Sequence, residues 1–369
     1  MMDEKTLFAL FRLGLGTVSP RDEDITGFKK MTRRDWIDMK RFTDRQCISA
    51  IAYDGLRALI DEFGLRSFCE SDVDWFDEFV QKWQLNVEES YEAGNIKQLI
   101  VINDIQERWQ KEGIRMMLLK GMGLGTCYPV PQHRAAGDID CYLFDDYDKG
   151  NKVAESFADR VDIHWYKHSQ IHYYGELIEN HKYFVLTREG RRTKKLNSLM
   201  VGILENTDMD VLPGTEVLLP PPMFNALFLT DHALSHFLEE GLRLKQLVDW
   251  AMFLKRDADK IDWPLFYAHC EEYHLRRFAE VATDFAVNYL GVSLNNREIV
   301  SSSPYTAKVI HSALYDDDFV FNSGQGKWAN RWHIVKNLIK YKWKFHDIYQ
   351  KSVIWQLWQF ASGLMLKKE

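Results

Sequence analysis

The chain has 369 residues, 46% hydrophobic and 14% aromatic, which is enough to bury a large core in two or three lobes and too apolar for a disordered protein. Its 47 Lys and Arg stand against 54 Asp and Glu, a formal charge of −7 that excludes a general basic field for DNA and leaves only a local basic groove open. The five cysteines, Cys47, Cys69, Cys127, Cys141 and Cys270, are scattered and form no CxxC pair, which speaks against a disulfide framework or structural zinc site and for a reducing, cytoplasmic setting.

At the N-terminus, MMDEKTLFALFRLGLG places acids ahead of a short amphipathic run, where a secretory signal would need a basic start. Apolar residues then recur at helical spacing, first Ile48, Ile51, Leu56, Leu59 and Ile60, later Ile96, Leu99, Ile100, Val101 and Ile105. Residues 1–112 therefore read as a helical lobe. The pattern changes at IRMMLL (114–119), a continuous apolar run, and at DIDCYLF (138–144), which alternates. In QIHYYGELIENHKYFVL (170–186) two runs flank a glycine, predicting a hairpin that turns near Tyr174-Gly175. After Pro220-Pro221-Pro222, placed to start a helix, helical periodicity returns through FNALFLTDHALSHFLEEGLRLKQLVDWAMFLKR. The late stretch SVIWQLWQFASGLML (352–366) is shorter than the roughly 20 residues of a membrane span and carries two glutamines, so a packed helix is expected there. The expected fold class is α/β (α+β): a small mixed-sheet core over 113–219 between helical lobes at 1–112 and 220–369.

The candidate chemistry lies in LLKGMGLGTCYPVPQHRAAGDIDCYL (118–143). Gly121, Gly123 and Gly125 fail the GxGxxG fingerprint, because Thr126 follows them, and Lys120 precedes its glycine rather than following it as in a P-loop. The information lies in Asp138-Ile139-Asp140. On a strand the two aspartates share a face while Ile139 and Cys141 point inward, and at about 3.3 Å rise per residue their carboxylates can converge on one divalent ion. A DxD alone is most simply a solvated strand face. Here a glycine turn follows one apolar strand, Arg134 lies between it and the second, and a lone acid, Glu179, follows in LIENH. That order suits two-metal nucleotidyl transfer, in which carboxylates hold Mg²⁺ on a triphosphate and backbone N–H groups of a glycine turn approach the phosphates.

The combination LLKG…YPVPQHRAAGDIDCYL with YYGELIENH resembles the uncharacterised bacterial nucleotidyltransferase family of the polymerase-beta-like superfamily, over about residues 90–255. The resemblance implies Lys120 and Gly121 at the phosphate turn, Asp138 and Asp140 as metal ligands, and Glu179 as the third carboxylate. It also implies that Arg134 steadies the loop or a phosphate. Met122 stands where better-known superfamily members carry Ser or Gly, and the loop from Gly121 to Asp138 is longer than usual.

Asp162 in RVDIHW is the other candidate third acid; the hairpin and the following His181 match the family pattern at Glu179. His164, His168 and His172 would share one strand face, read as a polar sheet surface in preference to a metal cluster. His232 and His236 sit one helical turn apart without the HExxH glutamate, so core or pocket histidines are expected rather than zinc ligands. In the family this helical segment faces the active site, which marks His232, Arg243 and Asp249 for the nucleotide or acceptor pocket. The basic run REGRRTKK (188–195) reads as a solvated segment or an anion contact.

These readings lead to a metal-dependent nucleotidyltransferase that takes an NTP, with Mg²⁺ or Mn²⁺, and moves its NMP onto an unknown acceptor: a protein, an RNA, a sugar or a small molecule. No membrane partner is expected. The alternative is a catalytically silent scaffold that keeps the fold and engages a partner through its helical lobes.

Overall fold

The computed structural model describes residues 3–68, 72–186, 190–239, 241–316, 336 and 339–352. From residue 353 onward the expected C-terminal helix lies outside the described residues, as do the first two residues of the basic run 188–195.

The N-terminal segment is helical: α1 (Glu4–Gly14), α2 (Asp22–Phe28), α3 (Arg33–Arg45), α4 (Ser49–Phe63), α5 (Val73–Val87) and α6 (Ala93–Lys111). Local chemistry sets the starts. Asp3 accepts hydrogen bonds from the Lys5 and Thr6 amides ahead of α1, and Thr32 and Asp35 form a reciprocal capping box at α3. Gly14 and Gly55 let α1 and α4 cross in contact, since a Cβ on either would run into the other helix's backbone.

A five-stranded sheet follows, in the order β1-β2-β5-β4-β3. Its strands are β1 (Met117–Leu118), β2 (Ile139–Tyr142), β3 (Arg160–Asp162), β4 (His168–Tyr173) and β5 (Glu176–His181); between them lie α7 (Met122–Gly125) and α8 (Tyr147–Ala154). β2 and β5 pair in parallel, and the other pairings are antiparallel. The hairpin between β4 and β5 turns at Tyr174 and Gly175, both at positive φ (50° and 73°), as a tight turn matched to strand twist requires. Of the expected strand over 114–119, Met117 and Leu118 form β1 and pair with β2, and the Leu119 amide adds a hydrogen bond to the Asp140 carbonyl at 3.0 Å.

Strand alternation gives the sheet two unlike faces. Ile139, Cys141, Ile171 and Ile178 point into a small core closed by Val101, Ile102, Ile105 and Trp109 of α6. Trp109 ties α6 to α8 by donating its ring N–H to the Gly150 carbonyl at 3.1 Å. On the other face, Tyr142 packs on Phe184 at a 4.5 Å ring separation, and Phe184 packs on Phe224 at 4.8 Å. Those rings lead into the C-terminal helices α9 (Arg191–Glu205), α10 (Pro222–Glu239), α11 (Leu244–Asp257), α12 (Trp263–Tyr273), α13 (Arg276–Asp284) and α14 (Thr306–Tyr315). Pro222 opens α10, as the triple proline predicts. The larger core joins these helices to α1–α5, so the N- and C-terminal helices pack together and the sheet's polar face lies against them. Among the described residues no helix is long and apolar enough to cross a membrane.

Candidate active site

Asp140 and Glu179 are Cα partners on the parallel strands β2 and β5, so their side chains leave the same face side by side. Asp138, just before β2, is exposed, whereas Asp140 is 3% exposed and its neighbours Ile139 and Cys141 are buried in the core behind the sheet. This is the division that the DID alternation predicts. The carboxyls feel one another: partial desolvation of the Asp138 carboxyl within the site, with the charges of Glu179 and Asp140, raises its pKa. Oxygen donors crowded in this way suit a divalent cation.

One oxygen of Asp140 lies 3.0 Å from both the Lys120 ammonium and the His181 Nε2. Burial alone would raise the Asp140 pKa, but Lys120 and His181 outweigh it and hold the carboxyl far below its ordinary range. Lys120 ends β1's edge of the site and also lies 3.2 Å from His232 Nε2 on α10. His232, half-buried beside Lys120 and His236, has its pKa driven well down by desolvation and by those neighbours and faces that lysine as a neutral ring. The glycine turn follows directly. Gly121 has φ 65° and ψ −130°, a conformation open to glycine, and begins α7. Gly123 and Gly125 serve packing instead: a Cβ on Gly123 would meet the Leu219 side chain at 2.7 Å, and one on Gly125 the Pro131 carbonyl at 3.0 Å.

The long segment between the turn and the aspartates is pinned in place. Asn95 on α6 donates to the Gln132 and Arg134 carbonyls at 2.9 and 3.1 Å, and Gln98 donates to the Gly137 carbonyl. His133 sits between Asp54 on α4 (2.7 Å) and Glu92 (3.0 Å). Arg134, 6% exposed, makes a bidentate pair with Asp249 on α11 at 2.8 and 2.9 Å, and Tyr128 donates to the same carboxylate at 2.5 Å. Of the two roles that the family resemblance implies for Arg134, this is the geometry of steadying the loop. Arg243 is exposed at the start of α11, with its guanidinium 3.3 Å from the Cys47 sulfur. Asp162 lies in the same cross-sheet row as Glu179 but on the far edge strand β3, three strands from Asp140, where it pairs with exposed Arg160 at 3.0 Å.

Three side chains join the site without a signature in the sequence. Lys245 on α11 donates to the Ala135 carbonyl at 2.8 Å, and its charge stabilises Asp138. Burial lowers its own pKa to about 8. Lys167, also lowered by burial and by Lys120, lies within electrostatic reach of Asp140 and Glu179. His168 opens β4 opposite His181 and stands 3.3 Å from Glu179. His164 falls in the exposed loop after β3, so the expected histidine face reduces to His168 and His172. The lysines converge from residues 120, 167 and 245, and only folding brings them together.

A family model described as uncharacterised nucleotidyltransferase matches residues 33–291, more than half of the chain, and the protein belongs to that family. No curated protein and no solved structure matches it.

Proposed function

We propose, from this membership and the carboxylate row, that the protein transfers a nucleoside monophosphate from a nucleoside triphosphate to an acceptor hydroxyl. The observation that carries the reading is the in-register placement of Asp140 beside Glu179, with Asp138 on the same face and Lys120 at the glycine turn. The acceptor oxygen bonds to the α-phosphorus. The bond from that phosphorus to the bridging oxygen breaks, pyrophosphate leaves with the electron pair, and the hydroxyl proton is lost to water. Asp138, Asp140 and Glu179 would hold Mg²⁺ or Mn²⁺, which when bound neutralises triphosphate charge and lowers the pKa of the attacking hydroxyl.

The chain's own groups have separable tasks. Lys120 and Lys245 supply positive charge beside the carboxylates, suited to the phosphate oxygens of the incoming nucleotide. Gly121 presents a backbone amide without a side chain in the way. Arg134 and Asp249 fasten the loop that leads to the aspartates onto α11. His181 orients Asp140.

Incubation of the purified protein with each α-³²P-labelled NTP, Mg²⁺ or Mn²⁺ and a lysate of the source cell tests the reading, beside the Asp138→Asn/Asp140→Asn double variant. Label transferred by the wild type and not by the variant is the expected result and marks the acceptor. No transfer by either, together with no metal-dependent nucleotide binding in calorimetry, overturns it in favour of a silent scaffold.

A further inference from the structure

The sheet carries a second donor set beside the aspartates, and its chemistry differs from theirs. His168, Glu179 and His181 each offer a ligand atom, all within 4.8 Å of one another. Topology places them: His168 and His181 are cross-strand partners on β4 and β5, and Glu179 lies two residues before His181 on the same face. The two rings stand 5.4 Å apart between centroids.

The hydrogen bonding leaves these rings open to an ion. His181 Nδ1 lies 3.2 Å from the Tyr183 carbonyl oxygen, which can only accept, so Nδ1 carries the hydrogen. The other nitrogen, Nε2, then lies 3.0 Å from an Asp140 oxygen and 3.7 Å from Glu179, on the side where the carboxylates gather. A carbonyl fixing one ring nitrogen so that the other can ligate is the usual outer-shell support of a metal-bound histidine. His168 has one ring nitrogen 3.3 Å from Glu179, and its buried Nδ1 has no hydrogen-bond partner among the described residues.

We propose that His168, Glu179 and His181 form a binding site for a first-row transition ion of the Mn²⁺, Fe²⁺, Co²⁺ or Zn²⁺ class, distinct in selectivity from a Mg²⁺ site on Asp138 and Asp140. Two imidazoles and one carboxylate favour such ions, whereas Mg²⁺ prefers oxygen donors alone. The role of the ion rests on the nucleotidyl-transfer reading: Glu179 ties this site to the carboxylate row, so the third carboxylate would serve the acceptor side through an ion that Mg²⁺ does not replace. Its ligands rest on the geometry above.

The test uses the untagged full chain, stripped with chelator and titrated with Co²⁺, whose visible absorption reports nitrogen ligation. The expected result is saturable binding that survives about a 100-fold excess of Mg²⁺ and weakens by about 10- to 100-fold in His168→Gln and His181→Gln. His164→Gln, in the neighbouring exposed loop, should bind as the wild type does. His168→Gln guards against a folding failure at the more buried His181, and both variants are melted in chelator beside the wild type. Binding of a Mg²⁺-loaded, non-hydrolysable NTP is measured separately. Co²⁺ binding that is absent, that Mg²⁺ displaces, or that both glutamine variants retain overturns the assignment, even where NTP binding and its loss in Asp138→Asn uphold the transferase reading. Co²⁺ binding through these residues without any NTP binding upholds the ligand assignment and removes the transferase role.

Discussion

Asp140 and Glu179 are in register on parallel strands, yet Asp140 is ion-paired with Lys120 and contacted by His181, while the pKa of Asp138, beside them, is raised. The two aspartates therefore answer differently to the same substitution. Asp138→Asn removes a carboxyl held above its ordinary pKa by its neighbours, so thermal stability without metal stays level or rises. Asp140→Asn leaves Lys120 and His181 facing a neutral amide in a buried site and lowers stability by about 2–3 kcal/mol, less than a fully buried pair because Lys120 keeps some exposure. Both substitutions reduce transfer by at least about 100-fold. Melting curves in chelator beside transfer assays check it; equal stability losses would contradict the electrostatic account.

Gly121→Ala tests the turn. At φ 65° and ψ −130° an alanine is strained, at about 1–3 kcal/mol, and the backbone amide moves with the relief of that strain. NTP affinity should fall more than stability does. In Gly123→Ala the new methyl meets only the end of the Leu219 side chain, which can rotate away, so affinity should hold. Calorimetric titration of both variants decides; equal loss would assign the turn to packing alone.

NTP binding should fall as pH rises past about 8. Burial lowers the Lys245 pKa to about 8, so the lysine is charged below that value and neutral above it. Loss of one charged contact is worth about tenfold in Kd, or ~1.4 kcal/mol. Lys245→Arg keeps its charge throughout and should flatten this limb. A wild-type profile that is level from about pH 7 to 9.5 would remove Lys245 from the phosphate site.

How far the site could be read from sequence follows from chain distance. Asp138, Ile139, Asp140 and Cys141 alternate within one strand, so a period of two was enough to assign faces. The hairpin showed itself through Gly175, and α10 through its prolines. Arg134 and Asp249 were each visible as candidates, but their bidentate pairing across 115 positions was not. Lys167 and Lys245 carry no local signal, since a lysine beside a strand or in a helix is ordinarily solvated. His168 was read within a row of three histidines as a sheet surface; the facing His181 lies on another strand, and only strand pairing brings the two rings together.

Arg134→Lys separates loop support from phosphate contact. The buried guanidinium meets Asp249 with two parallel hydrogen bonds, and an ammonium cannot reproduce that fork. Stability should drop by about 3 kcal/mol, with Asp249→Asn losing a similar amount and the double variant losing less than the sum. A Kd for NTP that rises sharply while the melting temperature is unchanged would instead place Arg134 on the phosphates.

The clasp at His133 gives the fold a pH dependence of opposite sign to that of most carboxylate pairs. Burial lowers the His133 pKa, but Asp54 and Glu92, one on each ring nitrogen, outweigh it and leave the value raised. A base with a raised folded pKa contributes stability that is complete below its unfolded value, about 6.5, and is lost as pH climbs through the folded one. Asp54, whose pKa burial raises against the opposing pull of His133, has the same sign, but its contribution begins to be lost above its unfolded value of about 3.9, at lower pH than that of His133. Stability should therefore decline as pH rises above about 6.5 through the raised folded pKa, and His133→Gln should cost on the order of 1 kcal/mol at the acid end and little at the alkaline end. Because His133 precedes Arg134 in the segment leading to Asp138, the same shift loosens the loop that carries the site. Thermal melts of wild type and His133→Gln across that range provide the measurement, and a stability gap that widens with pH would reverse the assignment.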